Sequence, residues 1–215
     1  MNLKVQLTRA LFMSLFSAIG FGLVALLVSD KKISQFDNSV ISLIQGLETP
    51  ILTSMMKFFS FIGAGFPFII IIVVGLFILY RVLHHRRELI LFLWVVMGSA
   101  LLNEALKLIF HRARPALHRI VKANGFSFPS GHSMAAFSLY GILAFLLWRH
   151  TSTSFGRLAL IVFSALMILM IGISRIYLGV HYPSDVFGGF LASGCLLSAS
   201  IWFYQRYQEK RSELM

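Results

Sequence analysis

The sequence predicts an all-α membrane protein: a six-transmembrane helix bundle with short interfacial helices between the first two spans, its 215 residues forming one domain. Three observations carry this prediction. Hydrophobic residues make up 58% of the chain and charged residues 13%, against about 45–50% and about 25% in soluble domains. Six segments approach the ~20 mostly apolar residues that a spanning helix requires. The Lys and Arg residues gather at the ends of those segments and in short loops, not along one continuous face. The net charge of +11 therefore reads as positive-inside anchoring and attraction to anionic headgroups, and nucleic acid is not an expected partner.

The first segment, 10–28, follows Lys4 and Arg9. Its apolar run is longer than a signal-peptide core and no A-x-A-like site closes it, so it reads as an uncleaved span. Between Lys32 and Phe58, Val40, Leu43, Ile44 and Leu47 recur at i, i+3, i+4 and i+7. Ile51, Leu52, Met55, Met56 and Phe59 form a second stripe after Pro50. Both stripes predict amphipathic helices, either lying at the interface or packed on the end of the bundle. The other spans are expected at 58–80, 89–110, 130–148, 158–178 and 186–204. The fourth and fifth reach full length only by including polar residues at their ends.

Cys195 is the only cysteine and lies in an apolar run, so it reads as a small core residue; no intrachain disulfide or multi-cysteine zinc site can form. Trp94, Trp148 and Trp202 read as belt anchors. The charged tail from Gln208 to Met215 is expected to be frayed and solvated.

Orientation follows from the basic residues of the short loops. One side holds Lys4, Arg9, Arg81, Arg86, Arg87, Arg149, Arg157, Arg206, Lys210 and Arg211. That side is expected to be cytoplasmic, with both termini inside a plasma membrane. The other side holds Lys31, Lys32 and Lys57, plus a basic group in and around 111–132 that runs against the positive-inside trend. That group needs another reason to be there.

Three polar clusters fall on this outer side: KLIFHRARP at 107–115, SFPSGHS at 127–133 and ISRIYLGVHYPSD at 173–185. Lys107, Arg114 and Arg175 bring three cations to one region, and arginine forks match phosphate oxygens. Ser130 and Gly131 sit at a predicted helix N-terminus, where free N–H groups and the helix dipole favour an anion. Gly131 lets that backbone approach closely. His181 stands four residues before Asp185. A carboxylate bound to one ring nitrogen would fix the tautomer and leave the other as a nucleophile. His132 could then protonate a leaving alkoxide. Together these residues suit a tetrahedral, multiply charged oxyanion.

The segments K-x6-RP at Lys107 to Pro115, PSGH at Pro129 to His132 and SR-x5-H-x3-D at Ser174 to Asp185 resemble the three signature motifs of the type 2 phosphatidic acid phosphatase superfamily. No motif position departs from the pattern. Motif order and span layout resemble its bacterial membrane branch, the phosphatidylglycerophosphatase B type. The resemblance implies that His181 is the nucleophile forming a phosphohistidine and Asp185 its orienting partner. It implies that His132 is the general acid and later the base that activates water. Lys107, Arg114, Ser130, Gly131 and Arg175 would bind the phosphate. It also implies no metal ion or other cofactor, in keeping with a socket already positive.

The expected activity is removal of the terminal phosphate of a membrane lipid, phosphatidylglycerophosphate before phosphatidate, at the outer face. An undecaprenyl diphosphate phosphatase is the alternative and an anion transporter a remote one. The lipid and the bilayer are the expected partners, and no obligatory protein partner is inferred. A Ser130–His181–Asp185 hydrolase would leave three cations without a task. A metal site of His132, His181 and Asp185 would place a dication among those cations. Activity requiring neutral His181 and protonated His132 together would give a bell-shaped pH profile.

Taken singly, these residues have plainer readings: Lys107 or Arg114 as snorkelling anchors, Arg175 as a structural partner of Asp185. Glu104, three residues before Lys107, reads as its i,i+3 ion-pair partner, with an accessory gating or headgroup role as the alternative. His111, Arg112, His118, Arg119 and Lys122 read equally as contacts for anionic headgroups or as solvated loop residues.

Overall fold

The computed structural model describes residues 3–82, 86–116 and 118–213, and the side chains of 7–81, 88–116 and 118–211. Of the basic residues used for orientation, the side chains of Lys4, Arg86 and Arg87 therefore lie outside the described residues, as do residues 214 and 215. All regular structure among the described residues is helical: α1 Leu3–Ser29, α2 Ser34–Gln45, α3 Pro50–Ile62, α4 Gly65–Phe77, α5 Arg86–Phe110, α6 Gly131–Trp148, α7 Ser154–Tyr177 and α8 Pro183–Glu213. A π-helical segment, Ile78–Val82, extends α4.

Five of these helices, α1 and α5 to α8, are each long and apolar enough to cross a membrane. The second span departs from expectation. The single helix expected over 58–80 is broken, with α3 and α4 bent by 52°. The cause is local. Gly65 adopts φ +64°, which a side chain would resist, and a Cβ on Gly63 would stand 2.6 Å from Ile171. The glycines thus let the chain turn sharply while pressed against α7. From Gly65 through Val82 the 13 residues of α4 and the 5 of the π segment rise about 27 Å, near the ~30 Å hydrocarbon thickness.

Local signals start the other helices. Thr49 caps α3 by accepting from the Leu52 N–H at 3.2 Å, with Pro50 at the first helical position. Thr153 caps α7 through the Gly156 N–H at 3.1 Å. As far as Glu213 the tail is helical, not frayed, and Arg206 pairs with Glu209 at 2.6 Å, while Lys210 and Arg211 are exposed as expected.

α1 lies along α8, where small residues face each other. Ser14 donates to the Cys195 carbonyl at 3.3 Å, and Ser17 lies beside Gly194. Leu79, Phe92, Val95, Leu139, Ile142, Leu146 and Leu197 form an apolar cluster at the end far from the motifs. The amphipathic helices do not merely rest on an interface. Met56 of α3 packs with Tyr177, Leu178 and Val180, while Leu43, Leu47, Ile51 and Phe58 stay exposed on the opposite faces. One face joins the bundle and the other is left for lipid.

Candidate active site

The C-terminal ends of α5 and α7, the N-terminal ends of α6 and α8 and the 111–130 segment meet at one end of the bundle. The Ser130 N–H donates to the Asp185 carbonyl at 3.0 Å, fastening the start of α6 to the start of α8. Ser130 caps α6, its hydroxyl accepting from Ser133 Oγ at 2.9 Å and Ser133 N at 3.4 Å. No bond joins Ser130 to His181 among the described residues. Among the described residues, the first two N–H groups of α6, from Gly131 and His132, have no hydrogen-bond partner, as is usual at a helix start. Gly131 is required by its neighbours: a Cβ there would meet Asn103 Oδ1 at 2.9 Å and Lys107 Nζ at 3.7 Å.

His181 is 2% exposed, in the short link between α7 and α8. Arg114 Nη1 stands 3.0 Å from its Nε2. A guanidinium only donates, so Nε2 carries the lone pair and Nδ1 the proton. That Nδ1–H faces Asp185 Oδ2 at 3.4 Å. Arg114 also donates to the carbonyls of Val180, Gly125 and Asn124 at 2.8, 3.0 and 2.9 Å. Burial lowers its pKa below the usual arginine value, against the opposing pull of Asp185.

Burial also pushes the His181 pKa from 6.5 down to about 4; the Asp185 hydrogen bond and charge oppose this, and Arg114 and Arg175 add to it. The ring is therefore neutral from about pH 4 upward. A ¹⁵N-imidazole titration is expected to place its midpoint near 4; a midpoint near the ordinary 6.5 would contradict the buried geometry. The unfolded chain takes up this proton near 6.5 and the folded chain only near 4, so acidification through that window destabilises the fold.

His132 lies within electrostatic range of Arg175, His181, Arg114 and Lys107. Arg175 donates to Ser60 of α3, and its Nε is buried without a hydrogen-bond partner. It does not pair with Asp185, as one reading of the sequence allowed. Glu104 is 72% exposed and stands 3.3 Å from Lys107, the i,i+3 arrangement.

Several residues of this end went unnoticed in the motifs. Arg112 is neither solvated nor free for headgroups. It donates to Asp185 Oδ1 at 2.6 Å, Ser184 Oγ at 2.7 Å and Asp37 Oδ2 at 2.7 Å, over the Tyr182 ring. Ser127 donates to Asp185 Oδ2. Asn103, one turn before Lys107, donates to the Pro129 carbonyl at 3.1 Å and steadies the PSGH loop. Of the other basic loop residues, His118 bonds Glu48 at 2.6 Å and Arg119 donates to the Pro115 carbonyl, whereas His111 and Lys122 are exposed.

The apolar helices and the polar end that gathers three cations and two histidines define a multi-pass membrane protein. The chain belongs to the PAP2 superfamily, whose model matches residues 88–209, and is thus a membrane phosphatase. It is 33% identical over 174 residues to phosphatidylglycerophosphatase B of Bacillus subtilis (strain 168), covering 79% of this chain and 84% of that one. A crystal structure of a transmembrane PAP2-type phosphatidylglycerolphosphate phosphatase from Bacillus subtilis matches with a TM-score of 0.77 and 30% identity, covering 93% of this chain and 97% of the other. A chain of Escherichia coli (strain K12) provisionally named undecaprenyl-diphosphatase YbjG is 41% identical over 92 residues, 38% of this chain and 41% of that one.

Proposed function

We propose that the chain removes the terminal phosphate of a membrane-anchored lipid, phosphatidylglycerophosphate in preference to others, through a phosphohistidine. The observation that carries this reading is the neutral, buried His181, its Nε2 lone pair facing Arg114 and its Nδ1–H facing Asp185. The Bacillus subtilis relative supports the choice of lipid.

A phosphate entering between Arg114 and His181 accepts the guanidinium bonds and frees the Nε2 lone pair. Lys107, Arg114, Arg175 and the N–H groups at Gly131 and His132 hold its oxygens, with Ser130 fixing that helix start. Nε2 attacks phosphorus in line as the lipid oxygen departs, and His132 gives that oxygen its proton. Water then attacks phosphorus, His132 takes the proton, and the N–P bond breaks to release inorganic phosphate. No metal ion takes part, since the cations already converge where a dication would sit. The whole chain acts as one domain of the plasma membrane, with both termini cytoplasmic and the site facing outward, as the basic loops suggest.

The test is phosphate release in detergent with EDTA from phosphatidylglycerophosphate, phosphatidate and undecaprenyl diphosphate. Release is expected to persist in EDTA and to be fastest from the first. Fastest release from the diphosphate would favour carrier recycling, a reading that rests on the shorter Escherichia coli match. Loss in EDTA would reinstate a metal. No release from any would overturn the phosphatase reading and call for an anion-flux assay.

A further inference from the structure

Asp37 is the one acidic residue of α2 and is 0% exposed. Its Oδ1 accepts the Ser184 N–H at 2.9 Å, and its Oδ2 accepts Ser184 Oγ at 2.7 Å and Arg112 Nη2 at 2.7 Å. Ser184 is the second residue of α8 and Asp185 the third. A carboxylate from a distant helix therefore caps the helix that carries the histidine's partner. Arg112 lies between two buried carboxylates, with Nη1 on Asp185 Oδ1 and Nη2 on Asp37 Oδ2.

This division of the guanidinium matters for Asp185. Its Oδ2 serves the Tyr182 N–H at 2.8 Å, the Ser127 hydroxyl and His181 Nδ1. An arginine facing one carboxylate tends to engage both oxygens. Without Asp37, Nη2 would be free to turn onto Asp185 and compete for the oxygen that His181 needs.

We infer that Asp37 is a positioning residue for the phosphoryl-transfer site: it anchors Arg112 and Ser184 so that Asp185 meets Arg112 through Oδ1 alone and keeps Oδ2 for His181. The inference rests on the phosphatase reading for its kinetic consequence but not for its geometry. His181 is also faced by Arg114 from the 111–130 segment, Arg175 from α7 and His132 from α6, none of which touches Asp37.

The test compares wild type with Asp37→Asn, which keeps the shape and removes the charge, and with Ser184→Ala, which removes the hydroxyl's bonds to Asp37 and from Arg112 but no charge and leaves the Ser184 N–H on Asp37. Two readouts are taken on folded, monodisperse protein: kcat and KM for phosphate release, and the tautomer of His181 by ¹⁵N-histidine NMR, assigned with His181→Ala. For Asp37→Asn, kcat is expected to fall about 10- to 100-fold, the range for lost outer partners, with KM within about twofold. The His181 signal should change from a fixed Nδ1–H form to a mixture. Ser184→Ala should shift both in the same direction by less, and it decides the matter alone if Asp37→Asn does not fold. An unchanged tautomer with kcat within about twofold of wild type would overturn the inference. Wild type that releases no phosphate from any lipid would defeat the functional reading, while the tautomer still decides the role of Asp37.

Discussion

Replacing His181 with alanine is expected to lower phosphate release by about 10⁴-fold or more, the scale on which removal of a nucleophile is felt. The Ser130 hydroxyl is committed to capping α6. KM should change little, because the cations and helix N–H groups that hold the phosphate remain. Wild type quenched during turnover with ³²P-labelled lipid should carry an acid-labile, base-stable label that His181→Ala lacks. A label that survives in the variant would place the covalent chemistry elsewhere. The substitution also removes an acceptor from Arg114, but three backbone carbonyls still hold that side chain.

Asp185→Asn should cost about 10³- to 10⁴-fold in kcat, comparable to the loss of the orienting carboxylate in other histidine sites. Asparagine keeps the volume but has one acceptor oxygen where Asp185 uses two. Oδ1 pairs with Arg112, while Oδ2 accepts from Tyr182 N–H, Ser127 and His181. An amide NH₂ toward His181 would favour the wrong tautomer and place the proton on Nε2, where the lone pair must be. An amide NH₂ toward Arg112 would oppose a guanidinium. Steady-state kinetics on folded variant, with the helix content checked by circular dichroism, measures this. A loss under tenfold would mean that Arg114 alone fixes the His181 tautomer.

Five of the spans were legible in the sequence because crossing a membrane is a matter of run length and apolarity, which composition records directly. The break at 63–65 was not, because an average over apolar residues is blind to a backbone turn between Gly63 and Gly65. The three motifs were legible because each keeps its chemistry within a few residues. Partners supplied from far along the chain were harder to see. Asp37 did leave a trace: it lies three and seven residues before Val40 and Ile44, so a charge occupies the apolar face of α2. Arg112 stands two residues before Arg114 in a stretch without regular structure, so spacing alone could not say that one meets the histidine and the other its aspartate. Ser60, which receives Arg175, sits in an apolar helix with no local signal at all.

The bond between Asp37 and Ser184 joins residues 147 positions apart. At a synthesis rate of about 5–20 residues per second, the two leave the ribosome roughly 7–30 s apart. Throughout that interval the Asp37 carboxylate lacks the Ser184 N–H and hydroxyl that it holds in the fold, and Arg112, 75 residues after it in the chain, is the one of these partners made before α8. The end that carries the three motifs is thus completed last. Insertion of α8 brings Ser184 and Asp185 together, draws Arg112 between the two acids and docks α2. A nascent chain that stalls before its final span can be richly helical and correctly inserted, yet it lacks the Asp185 carboxylate that faces His181.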